Sequence, residues 1–316
     1  MQKLLIKSAL MVCLLLLTYV TLFFLPPKSQ LVYTSIIDKH ERLKAAGSPK
    51  IVFIGGSNLA LGLDSAVVHN RTGLPVINMG LNGALGLRYM LEEVKPDIGP
   101  GDLIVLSPEY EHWYGSLLDG GLNLLWIMQI RPDFAQFISS PQQYGTLIKN
   151  LPEFMQAKFL EVLPARPDPI YNRSAFNEFG DFVNHLNLPA PQQLAGIARL
   201  KEEKFNDQTL ATIGAFGKFA DERGATVVYL FPSLAETQFT FQDNQAAIAQ
   251  IYQKLQALST ITVIGTPDDY VFPDPMFFDT VYHLRADGRQ LRSEKISTML
   301  LSTVLHDPQK VVNSAP

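Results

Sequence analysis

The chain is predicted to be a three-layer α/β sandwich on a parallel sheet of about five strands, preceded by one membrane-spanning helix. Three observations lead there. Five short apolar runs rich in β-branched residues recur at 51–54, 75–78, 103–106, 226–231 and 261–264. Each is continuous rather than alternating, as expected of strands covered on both faces and hence of a parallel sheet. Helical patterns separate several of them, so strand and helix alternate as in the βαβ units of a doubly wound sheet. With 316 residues, 47% of them hydrophobic and only 18% charged, the chain can bury a large core.

Taken in order, the first element is apolar. Between Ser8 and Leu25 the segment SALMVCLLLLTYVTLFFL carries no charge. At ~1.5 Å per residue a helix here nearly spans a bilayer core of about 30 Å. Lys3 and Lys7 precede it and favour a cytoplasmic N-terminus, which puts the rest of the chain outside. The alternative is a cleaved signal peptide, but Phe23, Phe24, Leu25, Pro26, Pro27 and Lys28 supply no small-x-small cleavage site. The single cysteine, Cys13, lies inside the apolar segment, so the outer part has no disulfide and no cysteine metal site. No metal or cofactor is expected.

After the Pro26-Pro27 break, residues 29–48 read as a helical stalk ended by Gly47 and Pro49. The α/β domain is expected over 49–305, with helices at 85–94, 209–223, 244–258 and 289–305. A polar tail follows at 306–316. The strand pattern stops between about 113 and 205, which reads as a helical and loop insertion beside the sheet. Net charge is −4 with no run of Lys or Arg, which excludes a nucleic-acid partner held through phosphates.

Two distant segments hold the chemistry. IVFIGGSN, at 51–58, is a buried strand running into a glycine-loosened turn that carries Ser57. FFDTVYHL, at 277–284, supplies Asp279 and His283. A serine becomes a nucleophile when a base takes its proton, and a carboxylate orients that base. The bland alternatives are Ser57 as a helix cap and His283 as a structural histidine.

The turn after the second run, NMGLNG, offers the Gly80 N–H and the Asn82 side chain as oxyanion donors, or is simply a tight turn. Gly80, Gly83 and Gly86 do not have dinucleotide-fingerprint spacing. The third run ends in SPEYEHW, where Glu109 and Tyr110 are candidates to bind a hydroxyl and Trp113 to stack on a sugar. His112, between Glu111 and Trp113, reads as a hydrogen-bonded loop histidine.

These segments resemble the blocks of the SGNH (GDSL-like) hydrolase superfamily over about 50–305. Gly56-Ser57-Asn58 is similar to the first block, Gly80 to the second, and Asp279 with His283 to the last. The chain looks most similar to membrane-anchored members that acylate envelope polymers, including the D-alanyl transfer and alginate acetylation types. The resemblance implies a flavodoxin-like sandwich with Ser57, His283 and Asp279 as catalytic residues. It further implies a single pass in a bacterial cytoplasmic membrane with the domain outside, and an envelope glycan or acylated substrate. A membrane acyl-transfer protein is a candidate partner.

Two departures stand out. Where the family's third block offers an oxyanion asparagine, this chain has Ser107-Pro108-Glu109-Tyr110, so Tyr110, Asn82 or a backbone N–H must serve. Three residues rather than two separate Asp279 from His283, which leaves Asp274 as a distant alternative orienter. The expected function is a serine-dependent O-acyl transferase or esterase on an extracytoplasmic polysaccharide. The alternative is a catalytically inactive, membrane-tethered binding or assembly factor on the same fold.

Overall fold

Every apolar run becomes a strand in the computed structural model, which describes residues 1–164, 166, 168–202 and 204–305. They are β1 (Ile51–Gly55), β2 (Val76–Asn78), β3 (Leu103–Ser107), β4 (Thr226–Tyr229) and β6 (Thr262–Val263). A separate parallel pair, β5 (Leu234–Ala235) and β7 (Val271–Phe272), lies outside this sheet. β1 and β3 are buried along their whole length, as their unbroken hydrophobicity requires. The polar tail expected at 306–316 falls outside the described residues.

The sheet is parallel throughout, in the order β2-β1-β3-β4-β6, with Ile51 opposite both Val76 and Leu103. This is the flavodoxin-like order, and its switch point lies between β1 and β3. α4 (Ser65–Thr72) packs with α11 (Ala286–Thr303), while α5 (Leu87–Val94) packs with α8 (Asp207–Glu222); α10 (Asn244–Gln256) leads into β6. Loops leaving β1 and β3 therefore diverge at the carboxyl edge of the sheet and open a crevice there.

At the N-terminus, α1 (Gln2–Phe24) is long and apolar enough to cross a membrane, and only Leu22 and Phe23 at its end are partly covered by the domain. The next helix corrects the expectation of a stalk. α2 (Ser35–Ala45) buries Ile36, Lys39, His40 and Leu43 against the domain. Its apolar stripe is joined by Lys39, whose ammonium donates to the carbonyls of Asn78 and Gly180 at 2.9 and 2.6 Å. Burial pulls the Lys39 ammonium down to about 7.

The insertion leaves and returns at one place, because Tyr114 and Phe205 form an antiparallel bridge. Within it, α6 (Leu122–Ile130) and α7 (Pro141–Val162) pack on each other and near the end of α1. A capping box at Ser140 and Gln143 starts α7. The irregular segment that follows brings Tyr171, Phe176, Phe182 and Ala195 back over the carboxyl edge of the sheet.

Candidate active site

β1 ends at Gly55, and a single further glycine, Gly56, leads into α3 (Ser57–Gly62). Gly56 is the N-cap and makes no side-chain cap bond, so Ser57 is the first helical residue and not the cap. Gly56 is required sterically: a Cβ there would sit 2.4 Å from both Glu109 carboxylate oxygens and from the Gly83 nitrogen.

Glu109 thus lies beneath the serine turn, where its carboxylate accepts from the N–H groups of Gly56 (3.2 Å) and Asn58 (2.9 Å). Burial alone would raise this carboxyl, but His112 and the Asn58 N–H outweigh it and hold Glu109 below the usual carboxylate range. Of the three amides at the turn, the Ser57 N–H alone finds no acceptor among the described residues. It is an orphan donor of the helix start.

The turn is locked from below. Arg292 of α11, fully buried, donates to the Asn58 carbonyl at 2.8 Å and its side-chain oxygen at 2.9 Å. It also reaches the Ser107 hydroxyl at 3.2 Å. Burial lowers the guanidinium to about 10, which leaves it charged at neutral pH. Asn58 in turn donates to the Ser107 carbonyl at 2.8 Å.

The two expected oxyanion donors fare differently. The Gly80 N–H is already given to Asn78 Oδ1 at 2.9 Å, and Gly80 is glycine because a Cβ would meet Leu59 Cβ at 2.7 Å. Asn82 lines the cavity beside Ser57. Its Oδ1 accepts from the Ala84 N–H and from Asn123 Nδ2, both at 2.9 Å. Because a backbone N–H can only donate, the oxygen is fixed there and the Asn82 amide NH₂ is the end left for a ligand.

Above the turn, His283 Nδ1 lies 2.6 Å from Asp279 Oδ1. The extra residue between them is taken up by a closed turn, in which the Phe278 N–H donates to the His283 carbonyl at 2.7 Å. That turn is tied down on three sides. Tyr282 OH donates to Glu111 at 2.9 Å, Ser233 Oγ donates to the Tyr282 carbonyl at 2.8 Å, and the Ala195 N–H donates to the Asp279 carbonyl at 2.9 Å.

Asp279 Oδ2 accepts from Tyr171 OH, a residue of the insertion that sequence reasoning missed. Burial would raise the Asp279 carboxyl, yet His283 and Tyr171 prevail and hold it below the ordinary value. Asp274, the alternative orienter, is engaged elsewhere: it accepts from the N–H and hydroxyl of Thr237.

Ser57 and His283 line one cavity of about 350 Å³, together with Asn82, Tyr171, Tyr33 and Phe176. Tyr33 brings the segment just after α1 into the wall, and burial pushes its phenol up to about 12. The expected walls Glu109, Tyr110 and Trp113 do not line this cavity. Tyr110 is 1% exposed, and Trp113 is fully buried with its indole N–H on Tyr229 OH at 3.1 Å. Their aromatic surface is spent on the core behind β3. His112 is also buried, its Nδ1 3.2 Å from the Leu117 carbonyl.

Among the described residues no group of three or more His, Cys, Asp or Glu is placed to hold a metal ion. Ser57 and His283 thus line one cavity at the carboxyl edge of a doubly wound sheet, with Asp279 against the Nδ1 side of the imidazole. The chain matches no protein-family model and no curated protein.

Proposed function

We propose that this protein is a serine-dependent O-acyl transferase or esterase of SGNH type. It is tethered to the bacterial cytoplasmic membrane by α1 and acts on an extracytoplasmic cell-envelope polysaccharide. The observation that carries the reading is the 2.6 Å contact of His283 Nδ1 with Asp279 Oδ1 beside the cavity that Ser57 lines.

The carboxylate holds the Nδ1–H tautomer, so Nε2 carries the lone pair that takes the Ser57 proton. The serine oxygen bonds to the ester carbonyl carbon, and the oxyanion is met by the Ser57 N–H and the Asn82 amide. Collapse expels the alcohol, which receives the proton from His283 and leaves an acyl-serine. Water or a sugar hydroxyl then gives its proton to His283 and attacks the acyl carbon; the bond to Ser57 Oγ breaks and His283 returns the proton to the serine oxygen. Tyr171 steadies Asp279 while the imidazole is charged.

Two observations favour the inactive-factor reading: an ionised Glu109 under the turn opposes an oxyanion above it, and Gly80 withholds its N–H. Hydrolysis of an aryl acetate by the full chain in detergent decides between the two. Activity abolished by Ser57→Ala upholds the enzyme. A folded protein with no Ser57-dependent turnover, on aryl acetate or on an acetylated glycan, overturns it.

A further inference from the structure

Outside the site, the largest unexplained feature is on α7. Tyr144, Ile148, Phe159 and Leu163 are 54%, 73%, 52% and 43% exposed, and Pro152 is exposed between them. Steps of four, four, seven and four residues place these side chains on one stripe of the helix. The stripe borders the face that packs on α6, whereas Lys149, Glu153 and Gln156 occupy the next flank, away from α6, which also carries Leu160 at 56% exposure.

The place of this stripe matters as much as its chemistry. Phe23, in the last turn of α1, packs edge-on against Phe154 of α7 at 6.2 Å. Gln129 of α6 donates to the Phe23 carbonyl. Just beyond, the Lys28 backbone N–H donates to Glu161 and its ammonium to the Leu163 carbonyl at 3.1 Å. If α1 spans the bilayer, the membrane–water boundary falls between Phe24 and Lys28. The C-terminal half of α7 is bonded to that boundary.

We propose that α7 lies in the membrane interface, with the stripe from Tyr144 to Leu163 set among lipid headgroups and upper acyl chains. The occupant is the bilayer, because the stripe ends at Leu163, whose carbonyl takes the Lys28 ammonium just past the exposed apolar surface of α1. An amphipathic helix lying flat with an aromatic and aliphatic face is a standard interfacial element. Together with α1 it makes two attachments, which fixes how the domain sits on the membrane. The inference rests on α1 as a membrane span and is independent of the chemistry proposed for Ser57.

The test uses the full chain carrying Cys13→Ser, reconstituted in vesicles of phosphatidylethanolamine and phosphatidylglycerol. An environment-sensitive fluorophore is attached at Ile148→Cys or Phe159→Cys on the stripe, and at Lys149→Cys or Glu153→Cys on the flank. The stripe probes are expected to shift to the blue and to lose intensity when headgroup-proximal spin-labelled lipid is added, while the flank probes do neither. Stripe probes as water-like as the flank probes overturn the proposal. So do stripe probes that are dry yet unquenched by spin-labelled lipid, since protein, a second copy of this chain, then covers them.

Discussion

The two halves of the candidate site are built differently. Ser57 rests on a floor of buried, charge-assisted bonds: Glu109 under two amides, Arg292 on Asn58 and Ser107. Asp279 and His283 hang from a roof made of a late turn and the insertion, and the Asp279 side chain is 34% exposed. The floor belongs to the sheet and to α11, so disturbing it disturbs the fold. The roof is tied by single bonds from distant segments, so disturbing it should alter chemistry before stability.

The largest separation of the two is expected from His283→Ala. Removing the base should cost ~10²–10⁴-fold in acyl turnover with little change in melting temperature, measured by aryl acetate hydrolysis and thermal unfolding. Arg292→Met should do the reverse. It removes a buried cation that Glu109 favours and strands the Asn58 and Ser107 acceptors, so a loss of about 3–5 kcal/mol in denaturant unfolding is expected.

The roof should also yield first to acid. His185 sits buried between Phe182 and Phe278, bonded to the Leu284 carbonyl at 2.9 Å, and burial drops its imidazole from 6.5 to about 4. Because the folded value is depressed, the neutral ring contributes fully above the ordinary value. The unfolded chain takes up the proton first as pH falls from 6.5 toward 4, so about 2–3 kcal/mol should be lost in that window. Asp279, held low, adds to the loss only as pH falls from the ordinary carboxylate range through its lowered value. Urea unfolding at several pH values checks this, with His185→Gln expected to flatten the profile. Smallest is Tyr171→Phe, which should lower turnover several-fold and stability by less than about 1 kcal/mol.

The same contrast explains what the sequence made legible. All five sheet strands were readable because each is a local apolar run, and β1, β2 and β3 are buried along their whole length. That Ser57 and His283 come to one cavity was readable because glycines and turn residues mark where such strands and late loops end. Tyr171 was not, since it meets Asp279 across 108 positions from a segment with no period. Glu109 was misread because a carboxylate after a strand looks like a ligand group until the amides it accepts from are seen. The wide Asp279–His283 step looked like a fault because sequence spacing does not show that a closed turn absorbs it. The helical stalk failed for a related reason: the apolar stripe of α2 was visible, its partner surface was not.

One measurement bears most directly on the central claim that Ser57 is a nucleophile primed by His283 and Asp279. The full chain is treated with a fluorophosphonate and the adduct is located by peptide mass. The expected result is a single adduct on Ser57, absent in Ser57→Ala and strongly slowed in His283→Ala and Asp279→Asn. A folded chain that stays unlabelled, or one labelled at Ser57 equally fast without His283, would contradict it.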